Sequence, residues 1–488
     1  MLQIVQSVPF KIVKLGLAAI SIVWISSGCS FQQYKEKPIN TEANSSKFHN
    51  KDPASPEFQQ YLLSNGYPAS QLPVKSWGLE ELTYCALYFH PSLDVARAQW
   101  RAALANEPIA AERPLPAING NTARSNQANQ DINPYLYGLS FDIPLETANK
   151  RSIRIENAQH LSEAYKLDIA QTAWLIRQSV AQALYEYQFN QQQIAVLIEE
   201  EKRRQEIAAI YQKRVDFGLL SNVELSTAKL LLQATSLELH NSQQKNAVLR
   251  TKLASTLGLS AGRLETMPLS KPLFVVDKYS LDTDIASLQK NALLNRLDIR
   301  IALAKYAAAE SKLKLEIAKQ YPDIVLTPGY AYEFGDKVWS LGIGGLLNLL
   351  HKNKNAIAMA MQLRKVEATQ FEALQNKVMS DVEIAKTEVQ QTHLLLTNQL
   401  ALQLQQHQNT ERMQKRLTIG EIDRLEFAVA KLEDITARKN TLLAEYQVLS
   451  AINQLENNLQ QPLNLTVQSL KLESLSQENA PQVQVKQN

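Results

Sequence analysis

The residues of this 488-residue chain whose types could carry chemistry are few: two cysteines, seven histidines and carboxylates set close behind two glycines. His49, His90, His160, His240, His351, His393 and His407 are scattered, and no H-x-x-x-H pair puts two of them on one helix face. No Ser-His-Asp spacing, P-loop or Gly-rich phosphate cradle occurs. With six methionines and no Cys/His cluster, nothing favours a metal path, a catalytic centre or a cofactor, and none is expected. Cys85 reads as a small buried residue. The carboxylates are more informative. Glu224 follows Gly218, and Glu426 follows Gly420, at one shared spacing, with Asp423 between the second pair. Acids in a first helical turn complement the helix dipole. Where acids cluster they repel, bind cations or pair with arginine.

Cys29 carries a different chemistry. Lys11 and Lys14 precede an apolar run from Leu15 to Ile25, and Ser26, Ser27 and Gly28 lead into the cysteine. A basic segment, a short apolar core and small residues describe a secretory signal over residues 1–28. A small residue immediately before cysteine resembles the bacterial lipobox, in which the cysteine is diacylated and becomes the new N-terminus. Ser26 stands where that motif usually has leucine, and Ser30, being no aspartate, resembles the sorting context of outer-membrane lipoproteins. Residues 29–74 are expected to form a lipid-anchored linker, and residues 466–488 a polar tail, disordered from about Ser474 onward.

Composition bounds what lies between. Hydrophobic residues are 45% and charged residues 20%, enough to bury sizeable cores. The formal charge of +3, from 51 basic against 48 acidic residues, argues against nucleic acid as a partner. Two cysteines exclude a disulfide framework or a four-cysteine zinc site. No other stretch approaches the ~18 consecutive apolar residues of a membrane-spanning helix. Any further membrane crossing must therefore use β-strands.

The chain repeats itself with a period of about 200 residues, over 75–270 and 271–465. One offset aligns Leu139 with Leu341, Ala158 with Ala360, Gly218 with Gly420, Glu224 with Glu426, and Ala228-Lys229 with Ala430-Lys431. Each copy opens with a helix, predicted over about 79–111 and about 282–320. Two alternating segments follow: Tyr137, Leu139, Phe141 and Ile143 in one copy, Ile324, Leu326, Tyr330 and Tyr332 then Trp339, Leu341 and Ile343 in the other. Period-two alternation predicts strands, with one more over about 116–126, and Gly335-Asp336 reads as the turn between the third and fourth. Neither Gly nor Pro occurs from Leu145 to Phe217 or from Leu346 to Ile419, which predicts two very long helices. Ile169, Ala173, Ile176, Val180, Ala183 and Tyr187 make one apolar stripe, and Leu167, Ala170, Trp174, Ala181 and Leu184 a second. Two adjacent stripes give a helix with a neighbour on each side. After each turn glycine a shorter helix returns, over about 222–257 and about 424–460.

Geometry converts these parts into an architecture. Each return helix is half as long as its partner, so the opening helix must stack on its end. Four strands cannot close a transmembrane barrel, whose minimum is about eight, and open edges cannot face lipid. Strands pooled from three chains give a 12-stranded barrel above a helical barrel. The expected fold is thus mainly α with a small β part, in a homotrimer.

These features resemble the TolC-type outer-membrane efflux channels. The resemblance is carried by Trp77-Gly78-Leu79-Glu80-Glu81-Leu82, His90-Pro91-Ser92-Leu93, Tyr321-Pro322-Asp323, Trp339-Ser340-Leu341-Gly342 and the turns Arg214-x-x-x-Gly218 and Arg416-x-x-x-Gly420. It implies an exit duct in the cell outer membrane that extends into the periplasm and does no chemistry. It implies as partners a periplasmic adaptor protein, an inner-membrane efflux pump and outer-membrane lipid. Arg214, Gly218, Leu219, Ser221, Arg416 and Gly420 are then expected at the adaptor-contacting tip, Glu224, Asp423 and Glu426 at a lumen gate, and the lipid on Cys29. The family's usual Arg-Pro-Asp-Leu is here Arg296-Leu297-Asp298-Ile299. The alternative is a structural periplasmic coiled-coil lipoprotein without a pore, against which the alternating strands argue.

Overall fold

The computed structural model describes residues 32–126, 133–270, 284–345, 352–463 and Leu475. Cys29, the predicted signal and nearly all of the tail lie outside them. Two compact units divide the chain after Asn50. In the first, helix α1 (Thr41–His49) is capped by the Asn40 side chain and buries nothing. The second unit holds the repeat.

Its elements come in the predicted order. Helix α2 (Pro56–Ser64) leads to α3 (Leu79–Phe89) and α4 (Pro91–Ala111), followed by strands β1 (Ala117–Arg124) and β2 (Tyr135–Leu145). Then come the long helix α5 (Lys150–Asp216), the return helix α6 (Asn222–Thr256) and the short α7 (Ala261–Glu265). The second copy supplies α8 (Ile285–Asn295), α9 (Leu297–Ala318), β3 (Ile324–Glu333), β4 (Asp336–Gly344), α10 (Lys354–Thr418) and α11 (Arg424–Leu459). At 67 and 65 residues, α5 and α10 are each about 100 Å long. No helix among the described residues is long and apolar enough to cross a membrane.

Both opening helices, expected as continuous, are broken. Pro91 offers no amide to continue α3, so the chain turns extended at His90, whose Nδ1 accepts the Ser92 amide at 3.3 Å. In the second copy Arg296 takes the extended conformation, and its guanidinium grips Asp298 at 2.7 and 3.0 Å. That places Arg296 and Asp298 of the departing motif in a structural joint.

The breaks are where the short helices meet end to end. Helix α5 packs against α4 and α6 on one side and against α9 and α11 on the other, and α10 packs against α9 and α11. Four columns result, two of them made of stacked shorter helices. The apolar cores sit at the two junctions. One gathers Leu82, Leu87 and Leu93 with Ile169, Ala173, Ile176, Val180, Leu253 and Leu257. The other gathers Ile299, Val378, Val382, Ala385, Val389, Val448, Leu455 and Leu459. Both predicted stripes of α5 are buried apart from the half-buried Ala170 and Tyr187, whereas α10 buries one face only. Each junction removes several large side chains from water, at about 1.5–3 kcal/mol apiece.

The later part of the stretch expected as linker, from α2 onward, is part of this core. Phe58 and Leu62 of α2 are fully buried, and Phe58 stacks near Trp77, Tyr88 and Phe89. Trp77 pairs backbone to backbone with Pro268 and Ser270, which explains its motif as a clasp. An aromatic-rich segment next to an apolar junction gains more by burial than it loses in chain entropy. Within the expected tail, the Leu475 carbonyl accepts from buried Arg97 at 2.8 Å.

All four strands pair antiparallel in the order β1-β2-β3-β4. The hairpin turn is Phe334-Gly335, both at positive φ, one residue earlier than expected, because Asp336 pairs with Glu333 and belongs to β4. The Tyr321-Pro322-Asp323 motif fastens sheet to helices. Asp323 accepts the Thr147 amide at 2.9 Å and binds Lys150 Nζ at 2.7 Å, while Lys150 also reaches the Tyr321 carbonyl at 2.6 Å.

Gly258 closes the first junction at φ +71°, and a Cβ there would stand 2.7 Å from the Phe89 carbonyl oxygen. Gly218 has similar torsions but open space around it. We therefore expect Gly218→Ala to cost about 1 kcal/mol, the left-handed penalty alone. Gly258→Ala should lower the thermal unfolding temperature of the detergent-extracted protein clearly further, since backbone must move. Equal shifts would show that the end-on contact is soft.

Candidate functional site

No groups of His, Cys, Asp or Glu among the described residues could hold a metal ion. Two places carry side chains that the cores do not explain: the turns joining each long helix to its return helix, and the sheet.

The turns are built alike. Gly218 (φ +68°) and Gly420 (φ +77°) take the left-handed conformation. Leu219 N donates to the Arg214 carbonyl at 2.8 Å and Gly218 N to Val215 O at 2.9 Å. In the second turn Glu421 N donates to the Arg416 carbonyl at 2.9 Å and Gly420 N to Leu417 O at 3.1 Å. This is the Schellman pattern, and it fixes the Arg-x-x-x-Gly spacing through main-chain bonds. The arginine side chains do something else. Arg416 pairs with Glu421 within its own turn at 2.9 Å. Arg214 crosses to the other turn and binds Asp423. Sequence reading gave these last two residues separate roles; the fold joins them.

The three predicted acids are distinct. Glu224 forms a capping box, its carboxylate accepting the Ser221 amide at 3.1 Å and hydroxyl at 2.9 Å. Asp423 caps α11 by accepting the Leu425 and Glu426 amides at 2.7 and 2.9 Å. The Glu426 amide above all holds its carboxyl below the usual aspartate range against the push from partial burial, with the Arg214 guanidinium and the Leu425 amide adding to the depression. Glu426 is exposed, and its side chain has no hydrogen bond or ion pair among the described residues. Around them large apolar side chains stand in solvent: Phe217 is 80%, Leu219 75%, Val223 74% and Ile419 76% exposed. Of these only Leu219 was singled out from sequence. The available signal was an apolar residue immediately before each turn glycine.

The sheet is inverted relative to a water-soluble one. Tyr135, Tyr137, Leu139, Phe141, Ile143 and Leu145 of β2 are exposed, with Trp339, Leu341 and Ile343 of β4 in the same condition. Registers place them on one face with Leu326, Pro328, Tyr330 and Tyr332. Tyr330 and Trp339 lie 4.8 Å apart, ring to ring. The other face carries Asn119, Asn121, Gly138, Ser140, Asp142, Thr327, Gly329, Ser340 and Gly342. An apolar face with an aromatic end suits hydrocarbon and its polar boundary, and a small, polar face suits water.

Because the depressed Asp423 carboxyl is ionised above its unfolded pKa, its capping contribution is complete there and is lost as pH falls through the lower folded value. The protection of the Leu425 and Glu426 amides against hydrogen exchange, relative to an unstructured chain at the same pH, should therefore stay constant from about pH 8 to pH 5 and fall only below about pH 3.9. Asp423→Asn should keep most of the protection, as asparagine also caps, whereas Asp423→Ala should lose it.

Residues 82–259 match the family model described as outer membrane efflux protein. A search of curated protein sequences finds no match. Solved structures share the fold. The outer-membrane channel OprN is 17% identical, with a TM-score of 0.64 over 89% of this chain and 99% of that one. The outer membrane protein VceC from Vibrio cholerae is 18% identical, with a TM-score of 0.62 over 79% and 97%. The open state of the MtrE outer membrane channel of Neisseria gonorrhoeae is 16% identical, with a TM-score of 0.61 over 80% and 91%. Residues 82–259 thus carry the outer membrane efflux protein pattern, and most of the chain has the fold of the solved outer-membrane channels, as the TolC-type resemblance implied.

Proposed function

We propose that the protein is the outer-membrane exit duct of a tripartite efflux system, working as a homotrimer that conducts passively what an inner-membrane pump and a periplasmic adaptor deliver. The observation that carries this reading is the sheet. Its apolar face is bare, and its outer strands β1 and β4 have no outer partner among the described residues. In hydrocarbon every unpaired backbone N–H and C=O costs several kcal/mol, so these edges must pair with further copies. The four-strand antiparallel order lets β4 of one copy meet β1 of the next antiparallel, and three copies reach twelve strands. The helices support the same closure. Helix α10 leaves Met359, Val366, Ile384, Leu394 and Leu404 exposed along its length, a seam for a neighbouring column.

In this assembly Arg214, Gly218, Leu219, Ser221, Arg416 and Gly420 lie at the tip away from the sheet, where the exposed Phe217, Val223 and Ile419 add apolar area for the adaptor. The Arg214–Asp423 pair joins the two turns of one copy, and opening the tip requires separating them. Glu426, unpaired, is the acid best suited to a lumen ring, while Glu224 is already engaged in its cap. Residues 1–28 act as the signal and Cys29 as the lipid anchor. A pore-free structural lipoprotein would have no use for an apolar sheet face.

Electron microscopy of the detergent-extracted protein should show a threefold hollow particle more than ~100 Å long, as α5 requires. Mass spectrometry of the same sample should find diacylglycerol on Cys29. A solid rod would overturn the duct. Glu426→Gln should weaken block of the conductance by divalent cations; unchanged block would remove Glu426 from the gate.

A further inference from the structure

We infer that Asp142 sets a charge preference within the barrel, making its lumen favour cations over anions. This rests on the duct reading, because it needs the polar face of the sheet to line water. The registers assign every strand residue to a face. On the polar face β1 contributes Ala117, Asn119, Asn121 and Ala123, and β2 contributes Leu136, Gly138, Ser140, Asp142 and Pro144. There β3 adds Val325, Thr327, Gly329, Ala331 and Glu333, and β4 adds Asp336, Val338, Ser340, Gly342 and Gly344. The ionisable groups of that face are thus Asp142, Glu333 and Asp336, all acids. Both basic residues of the described strands, Arg124 and Lys337, fall on the apolar face beside Tyr135 and Tyr332.

Position separates Asp142 from the other two. Glu333 and Asp336 flank the hairpin turn at the far end of the sheet. Asp142 lies within the sheet, held from both sides: Asn119 Nδ2 donates to Oδ2 at 2.7 Å and Thr327 Oγ1 donates to Oδ1 at 2.8 Å. Both donors are neutral, so they fix the carboxylate without cancelling its charge. No Lys or Arg pairs with it among the described residues. Acids a few residues away are treated differently, since Glu146 is paired with Arg154 and Asp323 with Lys150. Closing the sheet with further copies brings no cation to this face, because the incoming β4 carries none on it.

The face is also kept low. A Cβ at Gly138 would overlap the Asn121 side chain, and one at Gly329 would stand 2.8 Å from Ser340 Oγ. Glycines therefore let the polar side chains lie flat, and the Asp142 carboxylates of all copies look into open water. Fixed charge across a wide, wet lumen acts only within about a Debye length, ~30 Å at 0.01 M salt and ~3 Å at 1 M. The preference should be strong in dilute salt and vanish in concentrated salt.

The test is the zero-current potential of the purified full-length protein in a planar bilayer, under a potassium chloride gradient at low ionic strength. We expect cation preference at about 0.01–0.1 M salt that collapses near 1 M. Asp142→Asn, which keeps size and most hydrogen bonding, should lower the cation-to-anion permeability ratio at least about twofold, and Asp142→Lys should push it toward anions. Both are read also with Glu426→Gln, so that charge at the tip does not mask the barrel. An unchanged ratio for Asp142→Asn in that background overturns the inference while leaving a conducting duct. A preparation that never conducts even with the tip pair removed by Asp423→Ala, with intact particles, overturns the duct reading itself.

Discussion

A backbone amide or carbonyl cannot be left unpaired in hydrocarbon, and under the proposed duct most of this structure follows from that constraint. The described residues form four strands, all antiparallel, with an apolar face exposed and no partner at either edge among them. Such a sheet is a liability in water, where bare edges and apolar faces aggregate. It becomes a solution once it is one part of a closed ring. The polar face then has its own explanation: small and glycine-rich, it is the surface that a water-filled interior needs.

The helices answer a second geometric demand. The two long helices, each about 100 Å, pack mainly on shorter helices, and two of these must stack end to end to cover that length. The stack has a weak point, since helix ends leave amides and carbonyls without partners. Both apolar cores are placed there, and polar side chains close the rest. Lys51 Nζ reaches the Phe89 and Gly258 carbonyls at 2.6 and 3.0 Å, while Gln460 Oε1 accepts the Leu297 amide at 2.6 Å. The aromatic segment around Phe58 and Trp77 reinforces the first junction.

The turns show one residue type serving two purposes. Main-chain bonds alone account for the position of Arg214 and Arg416 before their glycines. Their side chains are free to differ, and they do: Arg416 stays in its own turn, while Arg214 ties the two turns together through Asp423. The Arg214–Asp423 pair is the one described ion pair between the turns, and it is half exposed, so it holds them weakly and releases them readily. That suits an element which must move if the tip opens.

The sequence by itself determined the parts and their order. Glycine- and proline-free spans dictated the long helices, period-two alternation dictated the strands, and the internal repeat showed that each part occurs twice. These signals are local, written at spacings of two to four residues, and local backbone physics reads them directly. Tertiary structure decided what local spacing does not encode. Alternation in β2 says that one face is apolar but not whether it turns inward or outward. Only pairing with β1 and β3 gathers Tyr137 and Phe141 on one bare apolar face and seats Asp142 between Asn119 and Thr327. Likewise Phe58, in a stretch that reads as linker, becomes core because Trp77, Tyr88 and Phe89 are brought beneath it. Arg214 and Asp423 lie in different repeats, and nothing in their own turns announces that they meet. Contacts between residues far apart in the chain depend on how whole elements pack, and that information is spread over every side chain of both surfaces rather than held by the two that touch.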